Sequence, residues 1–544
     1  MLDRSQPRSA LERQLYGATG LTLLVLVYLL PGAIGHDPWR GADIEHFATV
    51  HALLQGEWLL LPTVAGEPVQ GFGPFHYWLS ALFATVLGWL IPVHDAARLA
   101  TPFAAAMATL WITRTAARLY GRHTRAAAAL LTIGTLGLAV HVHENQPMIT
   151  LMALQGMTLA GLALIPTQPL KGSIQAGLGV ALAFLTAGFA GVLLTLPLLA
   201  LVAVAVPEVR TPRASGALIV GLSIAVGGSA LWPIALGATQ AELLDLWWLR
   251  AWTDFAGDPM SRGDLPRLAE MLGWFTWPLW PIALWALWRA RRQLARLQWL
   301  LPLVAAAVAV SWIMLGGSLS AEAMLPAVPA LTLLAAGGVP TMRRGAANAF
   351  DWFALMTFGL FALLVWLAWT AQIHEWPPGL ARSLARMAPD FVPSGTGLQA
   401  TIGVIIMLLW AVLVWRLPRS ADRSSTNWAL GMTMLWCLMV TLLMPWVDYT
   451  RNYRPMAESL KLALSQEQAA CIATTHLGTT QRAVLDYYLD LRPLKTRDNE
   501  THCRYLLVHD DEVIAAPSPE WLPVWRHRHA GGKRLEVFTL YRRD

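Results

Sequence analysis

Apolar segments long enough to cross a bilayer recur along most of this chain, and the charges between them are sorted by loop. A spanning helix needs about 20 predominantly apolar residues, and the chain meets that length again and again. Only 14% of its 544 residues are charged, while 56% are hydrophobic. Soluble domains average roughly 25% charged residues, so the composition fits a polytopic α-helical membrane protein with little water-exposed mass. The formal net charge of +6 sits mainly on arginines in short loops. That is a topology signal, and it argues against a nucleic-acid partner. The 3 cysteines are too few for a disulfide scaffold and form no CxxC metal pattern. No internal repeat is visible, which disfavours the repeat-built transporters. The first apolar run leads directly to Pro31, Gly32 and Asp37 without a small-residue cleavage site, so no cleavable signal is expected.

Arginine placement orients the spans. Arg4, Arg8 and Arg13 put the N-terminus in the cytoplasm. Residues 75–92 are apolar, but contain His76 and Gly88 and end in Pro92, His94 and Asp95. If they crossed, Arg114, Arg118, Arg122 and Arg125 would lie outside, against the positive-inside rule. They are therefore expected to be re-entrant or to lie on the surface. Residues 96–118 then carry the arginines in, and spans near 124–141 and 147–166 follow. A pair of short spans, 172–187 and 189–206, turns outside at Thr186-Ala187-Gly188. Arg210 and Arg213, Arg289 to Arg296, Arg343-Arg344, and Arg416, Arg419 and Arg423 fall inside. Arg40, Arg98, Arg250, Arg262, Arg267, Arg382 and Arg386 fall in longer external loops. The sum is about 13 spans with the C-terminus outside, in a bacterial inner membrane facing the periplasm. Residues 1–447 form the membrane unit.

The first external loop, 35–95, is too apolar for an ordinary connection. Phe47, Val50, Leu53 and Leu54 repeat at helical spacing after Asp43, which predicts a short amphipathic helix on the bilayer surface. Asp43 suits its N-cap and the water boundary. Gly56, Pro62, Gly66, Pro68, Gly71, Gly73 and Pro74 then interrupt the chain before His76-Tyr77-Trp78.

This order of residues resembles the first external loop of GT-C-type glycosyltransferases. It is closest to the ArnT-like and protein O-mannosyltransferase-like branch (glycosyltransferase family 39), which takes sugars from polyprenyl-phosphate carriers. In that branch the loop opens on an acid, usually with a second beside it, and passes through Gly-Asp-Trp. It reaches Glu-Lys-Pro before Tyr-Trp-Leu. Here Asp43 is the first acid, Gly56-Glu57-Trp58 is the middle element, and Tyr77-Trp78-Leu79 closes the motif. Ile44 stands where the second acid is usual, with Glu45 next to it, and Gly71-Phe72-Gly73 replaces Glu-Lys-Pro. Ala183-Phe184-Leu185-Thr186-Ala187-Gly188 resembles the family's Phe-Leu-Thr-Lys-Gly, again without lysine.

The second external loop holds His141, His143, Glu144, Asn145 and Gln146. Aligned on Pro147, Asn145 stands where the branch carries an aspartate, with Glu144 adjacent. His141, His143 and Glu144 offer a possible metal-ligating set. Interfacial histidines more commonly bond headgroups, so no metal or other cofactor is expected. Arg250, among Trp247, Trp248 and Trp252, could replace a lysine on the donor phosphate, or could snorkel from an aromatic belt. Glu322 in Ser320-Ala321-Glu322-Ala323-Met324-Leu325-Pro326 matches the acid of the branch's Arg-x-Glu-x-Tyr-Leu-Pro, without the arginine and tyrosine. Asp448, Tyr449, Arg451, Tyr453 and Arg454 close the last span.

From residue 448 the composition changes. CIATTHL, CRYLLVHD and EVFTLYRR read as strands and TQRAVLDYYLDL as a helix, giving a small periplasmic α/β domain over 448–544. Cys471 and Cys503 are either a disulfide or two free thiols, and Cys437 is packing.

The resemblance implies an inverting glycosyltransferase. A polyprenyl-phosphate sugar would be the donor, and a hydroxyl of lipid A, another envelope glycan or a protein the acceptor, in contact with membrane lipids. Asp43, Glu45 and Glu144 are the expected catalytic acids, with Asp43 the first choice as base. His143, Asn145, Arg250, Glu322, Tyr77 and Arg451 are the expected substrate contacts. A transporter or flippase of lipid-linked substrates is the competing class. A catalytically inactive relative is a third.

Overall fold

The computed structural model describes residues 10–543, apart from 58, 70, 256–259, 317–318, 390, 419, 421, 468–470, 496–501, 511–517, 519 and 531–534. Arg4, Arg8, Trp58 and Arg419, used in the sequence reading, lie outside the described residues. Among those described, six helices are long and apolar enough to cross a membrane: Pro169–Ala205, Pro212–Thr239, Leu297–Leu315, Arg344–His374, Gly397–Arg416 and Arg423–Arg451. Shorter apolar helices, Ala18–Leu29, Phe75–Leu87 and Pro147–Leu162 among them, pack between these. The polytopic helical class expected from the sequence is the one observed.

Helix Ala100–Tyr120 sets the direction of the bundle. Its 21 residues carry the chain about 30 Å from Arg98 to Tyr120. Tyr120 donates to the carbonyl of Gln298, next to Arg296. The arginine-bearing loops thus gather at the end of the bundle away from Arg98 and the first long loop. Phe75–Leu87, of 13 residues, is only about 20 Å long. Its start meets Thr150 through His76. The segment after it returns to the same end, where His94 bonds Tyr487. It therefore does not cross, as the arginine count requires.

Pro169–Ala205 is a hairpin. Ala187 and Gly188 leave helical geometry, Gly188 has φ +48°, and a Cβ on Gly191 would sit 2.0 Å from the carbonyl oxygen of Ala183. Only a reversal brings residues 183 and 191 together, and glycine supplies the positive φ it needs. The expected span 124–141 is corrected: its helix stops at Ile133. Leu136 and Gly137 donate instead to the carbonyls of Trp277 and Phe275, at 3.0 and 2.9 Å. Two broken helices satisfy each other's backbone, which is how irregular chain survives inside a bundle.

The surface helix spans Ala42–Leu54. It is capped by Gly41 at φ 88°, so the assignment of Asp43 as N-cap is corrected. Its apolar side is covered by protein: Ile44, Phe47 and Val50 are buried together with Met456, Leu460 and Val484. Burying a side chain of this size is worth about 1.5–3 kcal/mol. A small hairpin follows, β1 (Thr63–Val64) and β2 (Glu67–Pro68). Ala65 and Gly66 both have positive φ, the twist that suits a two-residue turn.

After the last long helix comes a mixed five-stranded sheet with the order β4-β3-β5-β7-β6. The strands are β3 (Ile472–Thr475), β4 (Leu494–Lys495), β5 (Tyr505–Asp510), β6 (Trp521–Ala530) and β7 (Leu535–Arg543). Cys471 and Cys503 are disulfide-bonded, with Cα atoms 5.1 Å apart. Helix Thr479–Leu489 faces the surface helix, where Tyr487 meets Phe47 edge-on at 4.8 Å. Arg482–Glu67 at 3.0 Å and Arg492–Glu57 at 2.6 Å fasten the sheet unit to the first loop.

Candidate active site

Asp43 is 1% exposed and its lone pairs are taken. Oδ1 accepts from the backbone N–H of Asn145 at 2.7 Å, and Oδ2 from that of Trp39 at 2.9 Å. Arg98, equally buried, adds donors to both oxygens at 3.5 and 3.3 Å. The same guanidinium binds Asp95 at 2.7 Å, and Asp95 accepts from Gly35 N–H at 2.9 Å. One arginine thus ties together the first loop, the second loop and the return from the re-entrant helix. Burial would raise the Asp43 pKa, but Arg98, His36 and the two backbone donors outweigh it and hold the carboxyl below its ordinary value.

Three glutamates stand above this knot. Glu144 faces His141 at 3.2 Å and Arg451 at 3.8 Å. Arg451 lies over the Trp39 ring at 5.1 Å with its side chain 44% exposed, so this cation keeps an open side. Glu322, at the turn Glu322–Met324, is partly buried. Its pKa is raised, chiefly by burial and then by the charges of Glu144 and Glu45, with His141 opposing. Glu45 accepts from the Thr480 hydroxyl and is likewise raised, chiefly by burial. The rim therefore gathers Glu144 and Glu322 near His141 and Arg451, with Glu45 beside Thr480 and under the charge of Arg482.

Asn145 sits at the junction of knot and rim. Its Oδ1 accepts from His76 at 2.7 Å, while its Nδ2 is buried without a partner. Three expected substrate contacts are turned elsewhere. Both ring nitrogens of His143 meet backbone carbonyls, Ala139 at 2.7 Å and Tyr28 at 3.0 Å, and its ring stacks on Trp436. With no lone pair facing the rim, it is not available to form a metal site with His141. Tyr77 is buried with its hydroxyl on His46 at 2.9 Å. Arg250 reaches the carbonyl of Pro68 at 3.5 Å and, among the described residues, touches neither Asp43 nor the rim. Arg98, Asp95 and Trp39 carry the architecture, and nothing in their local sequence marks them for it. Arg98 was visible only as one more external charge.

The two stretches where the resemblance places lysines, Gly71-Phe72-Gly73 and Thr186-Ala187-Gly188, are packed against each other. Gly73 N–H donates to the carbonyl of Thr186 at 3.0 Å, and a Cβ on Gly73 would lie 2.4 Å from the Leu185 oxygen. Trp247 closes over Gly188 and donates to the carbonyl of Phe72 at 3.2 Å. Glycines, a backbone junction and an indole occupy this corner.

No family model matches the sequence, and no curated protein matches it. Solved structures do. ArnT from Cupriavidus metallidurans bound to undecaprenyl phosphate superposes with a TM-score of 0.70 at 16% identity, covering 96% of this chain and 98% of that one. The same protein in its apo state gives 0.64 at 16% identity, with the same coverage. Across nearly its entire length, this chain has the fold of ArnT.

Proposed function

We propose that this protein is a membrane glycosyltransferase that moves a sugar from a polyprenyl-phosphate carrier to an acceptor hydroxyl. The acceptor belongs to lipid A, another envelope glycan or a protein, and the reaction takes place at the periplasmic face of a bacterial inner membrane. The observation that carries this reading is the acidic rim of Glu45, Glu144 and Glu322, joined by the half-open Arg451, at the bundle's sheet-covered end. The fold likeness to an ArnT bound to undecaprenyl phosphate supports a lipid-linked donor.

The chemistry is a single inverting displacement. The acceptor oxygen attacks the anomeric carbon, the bond from that carbon to the phosphate oxygen breaks, and polyprenyl phosphate leaves. A carboxylate takes the hydroxyl proton. Asp43, the base expected from the sequence, has saturated oxygens and a lowered pKa, which make it a weak one. It serves better as a positioning residue, holding Asn145 and Trp39. Glu322, partly accessible and with a raised pKa, is the better-matched base. Arg451 is better placed than Arg250 to hold the leaving phosphate, since a guanidinium with an open side can bind it bidentately.

The test incubates purified protein with undecaprenyl-phosphate-linked sugars and a panel of lipid and peptide acceptors. Sugar transfer that is lost in Glu322→Gln supports the reading. Failure to consume any such donor, with donor lipid still bound, favours the inactive relative. Movement of intact donor across vesicles favours the transporter.

A further inference from the structure

A cavity of about 570 Å³ opens beside the exit of the last long helix. It lies within the roughly 300–1,000 Å³ of ordinary ligand sites. Its lining changes character along Arg423–Arg451. Val440 and Met444, with Ile34 opposite, form an apolar floor. Asp448, Asn452 and Arg454, with Asp37 and Glu458, form a charged upper wall. From 440 to 448 the helix rises about 12 Å, so the gradient runs from membrane depth to the water boundary. That is the shape and polarity of a lipid's upper half.

The charges define the headgroup. Asp37, Asp448 and Glu458 supply three carboxylates against one guanidinium. Arg454 donates to Asp37 at 3.3 Å through Nη1 and to Glu458 at 2.8 Å through Nε. Its Nη2 has no partner among the described residues, and the side chain is 53% exposed. The wall therefore offers one guanidinium edge to an anion and an excess of acceptors to a cation a few ångströms away. A purely anionic headgroup meets repulsion from the carboxylates. A phosphate followed by a primary ammonium meets a partner for each charge. The cavity is separate from the rim, but Asp448 accepts from Trp39 Nε1 at 3.1 Å, and the Trp39 ring carries Arg451.

We infer that this cavity is a binding site for a zwitterionic bilayer lipid of the phosphatidylethanolamine class. Its phosphate lies on Arg454, its ammonium among Asp37, Asp448 and Glu458, and an acyl chain runs along Val440 and Met444. This assignment does not depend on the transferase reading, and its test needs no turnover.

The full-length protein, purified in detergent, is titrated by native mass spectrometry with dioleoyl phosphatidylethanolamine, phosphatidylcholine and phosphatidylglycerol. Phosphatidylcholine keeps both charges but its ammonium has no N–H to donate, so it is expected to bind about tenfold more weakly than the ethanolamine lipid. Glu458→Gln narrows that gap. Met444→Trp fills the floor and removes binding of the ethanolamine lipid while the melting temperature stays within a few degrees. Equal binding of the three lipids, or ethanolamine-lipid binding untouched by Met444→Trp, overturns the assignment.

Discussion

The Asp43–Arg98 knot and the glutamate rim lie side by side, yet they are built on opposite electrostatic terms. In the knot, two carboxylates share one guanidinium, every oxygen of Asp43 is bonded, and water is excluded. In the rim, Glu144 faces His141 and an arginine with 44% of its side chain exposed, and Glu322 lies within the field of Glu144, Glu45 and His141. A saturated buried network is costly to disturb and poor at chemistry, because no lone pair is left to accept a proton. Burial raises the pKa values of Glu322 and Glu45 in this half-open cluster, which is what proton transfer needs. On the function proposed above, the knot serves as scaffold and the rim as reactive surface, although both are made of the same residue types.

The largest effect expected from this division is on turnover. Glu322→Gln keeps shape and polarity but removes the proton acceptor, and should lower transfer about 10²–10⁴-fold with little change in melting temperature. Asp43→Asn is the sharpening control. It should lower stability as well as rate, because Arg98 loses half of its compensation. If Asp43→Asn kills transfer at unchanged stability while Glu322→Gln is active, the roles are reversed and Asp43 is the base.

Next in size is the knot itself. Arg98→Met leaves Asp43 and Asp95 buried without a counter-charge, at an expected cost of about 3–5 kcal/mol in unfolding free energy. Thermal melts of the purified protein in one detergent measure it. A loss below about 1 kcal/mol would mean that the guanidinium is solvated after all, and the contrast between the two regions would fail. A smaller effect is expected at Arg451→Lys, which keeps the charge but loses the planar fork. It should weaken donor use about tenfold, read as a rise in KM for the polyprenyl-phosphate sugar, with Arg250→Lys unaffected.

Much of the scaffold was legible because it rests on local rules. The 3.6-residue spacing of Phe47, Val50 and Leu54 marked the surface helix. Arginine sorting kept 75–92 from crossing, and Thr186-Ala187-Gly188 marked a reversal between two apolar runs. Apolar and β-branched runs marked β3, β5 and β7, but β4 and β6 were missed. WLPVWRHRHA is polar and contains Pro523, which an edge strand tolerates at a bulge. The break at Gly134–Gly137 was hidden because its partner, Phe275–Trp277, lies far along the chain. The site was legible as residue types at one face and illegible as directions. Asp43, Glu144 and Glu322 could be named, but His143, Tyr77 and Arg250 carry the same chemistry and point into the protein. Arg98 is separated from Asp43 by 55 residues, and only tertiary contact reveals that one charge neutralises the other.

Acid should separate the two regions with the smallest perturbation. Glu322 titrates above the ordinary glutamate value near 4.3, since burial and the neighbouring carboxylates favour its neutral form. As general base it works only when ionised, so transfer should fall as pH drops through a midpoint above 4.3. Asp43 moves the other way. Its folded pKa is depressed below the unfolded value near 3.9, so its contribution to stability is fully present above that value. That contribution is lost only as pH falls further, through the folded pKa. Between the two lies a window in which the protein remains folded but transfers progressively less, a few-fold per step rather than an abrupt loss. Paired rate and melting measurements across pH 4–7 locate it. Should activity and melting temperature decline together, the base belongs to the knot, and the rim does not carry the reaction.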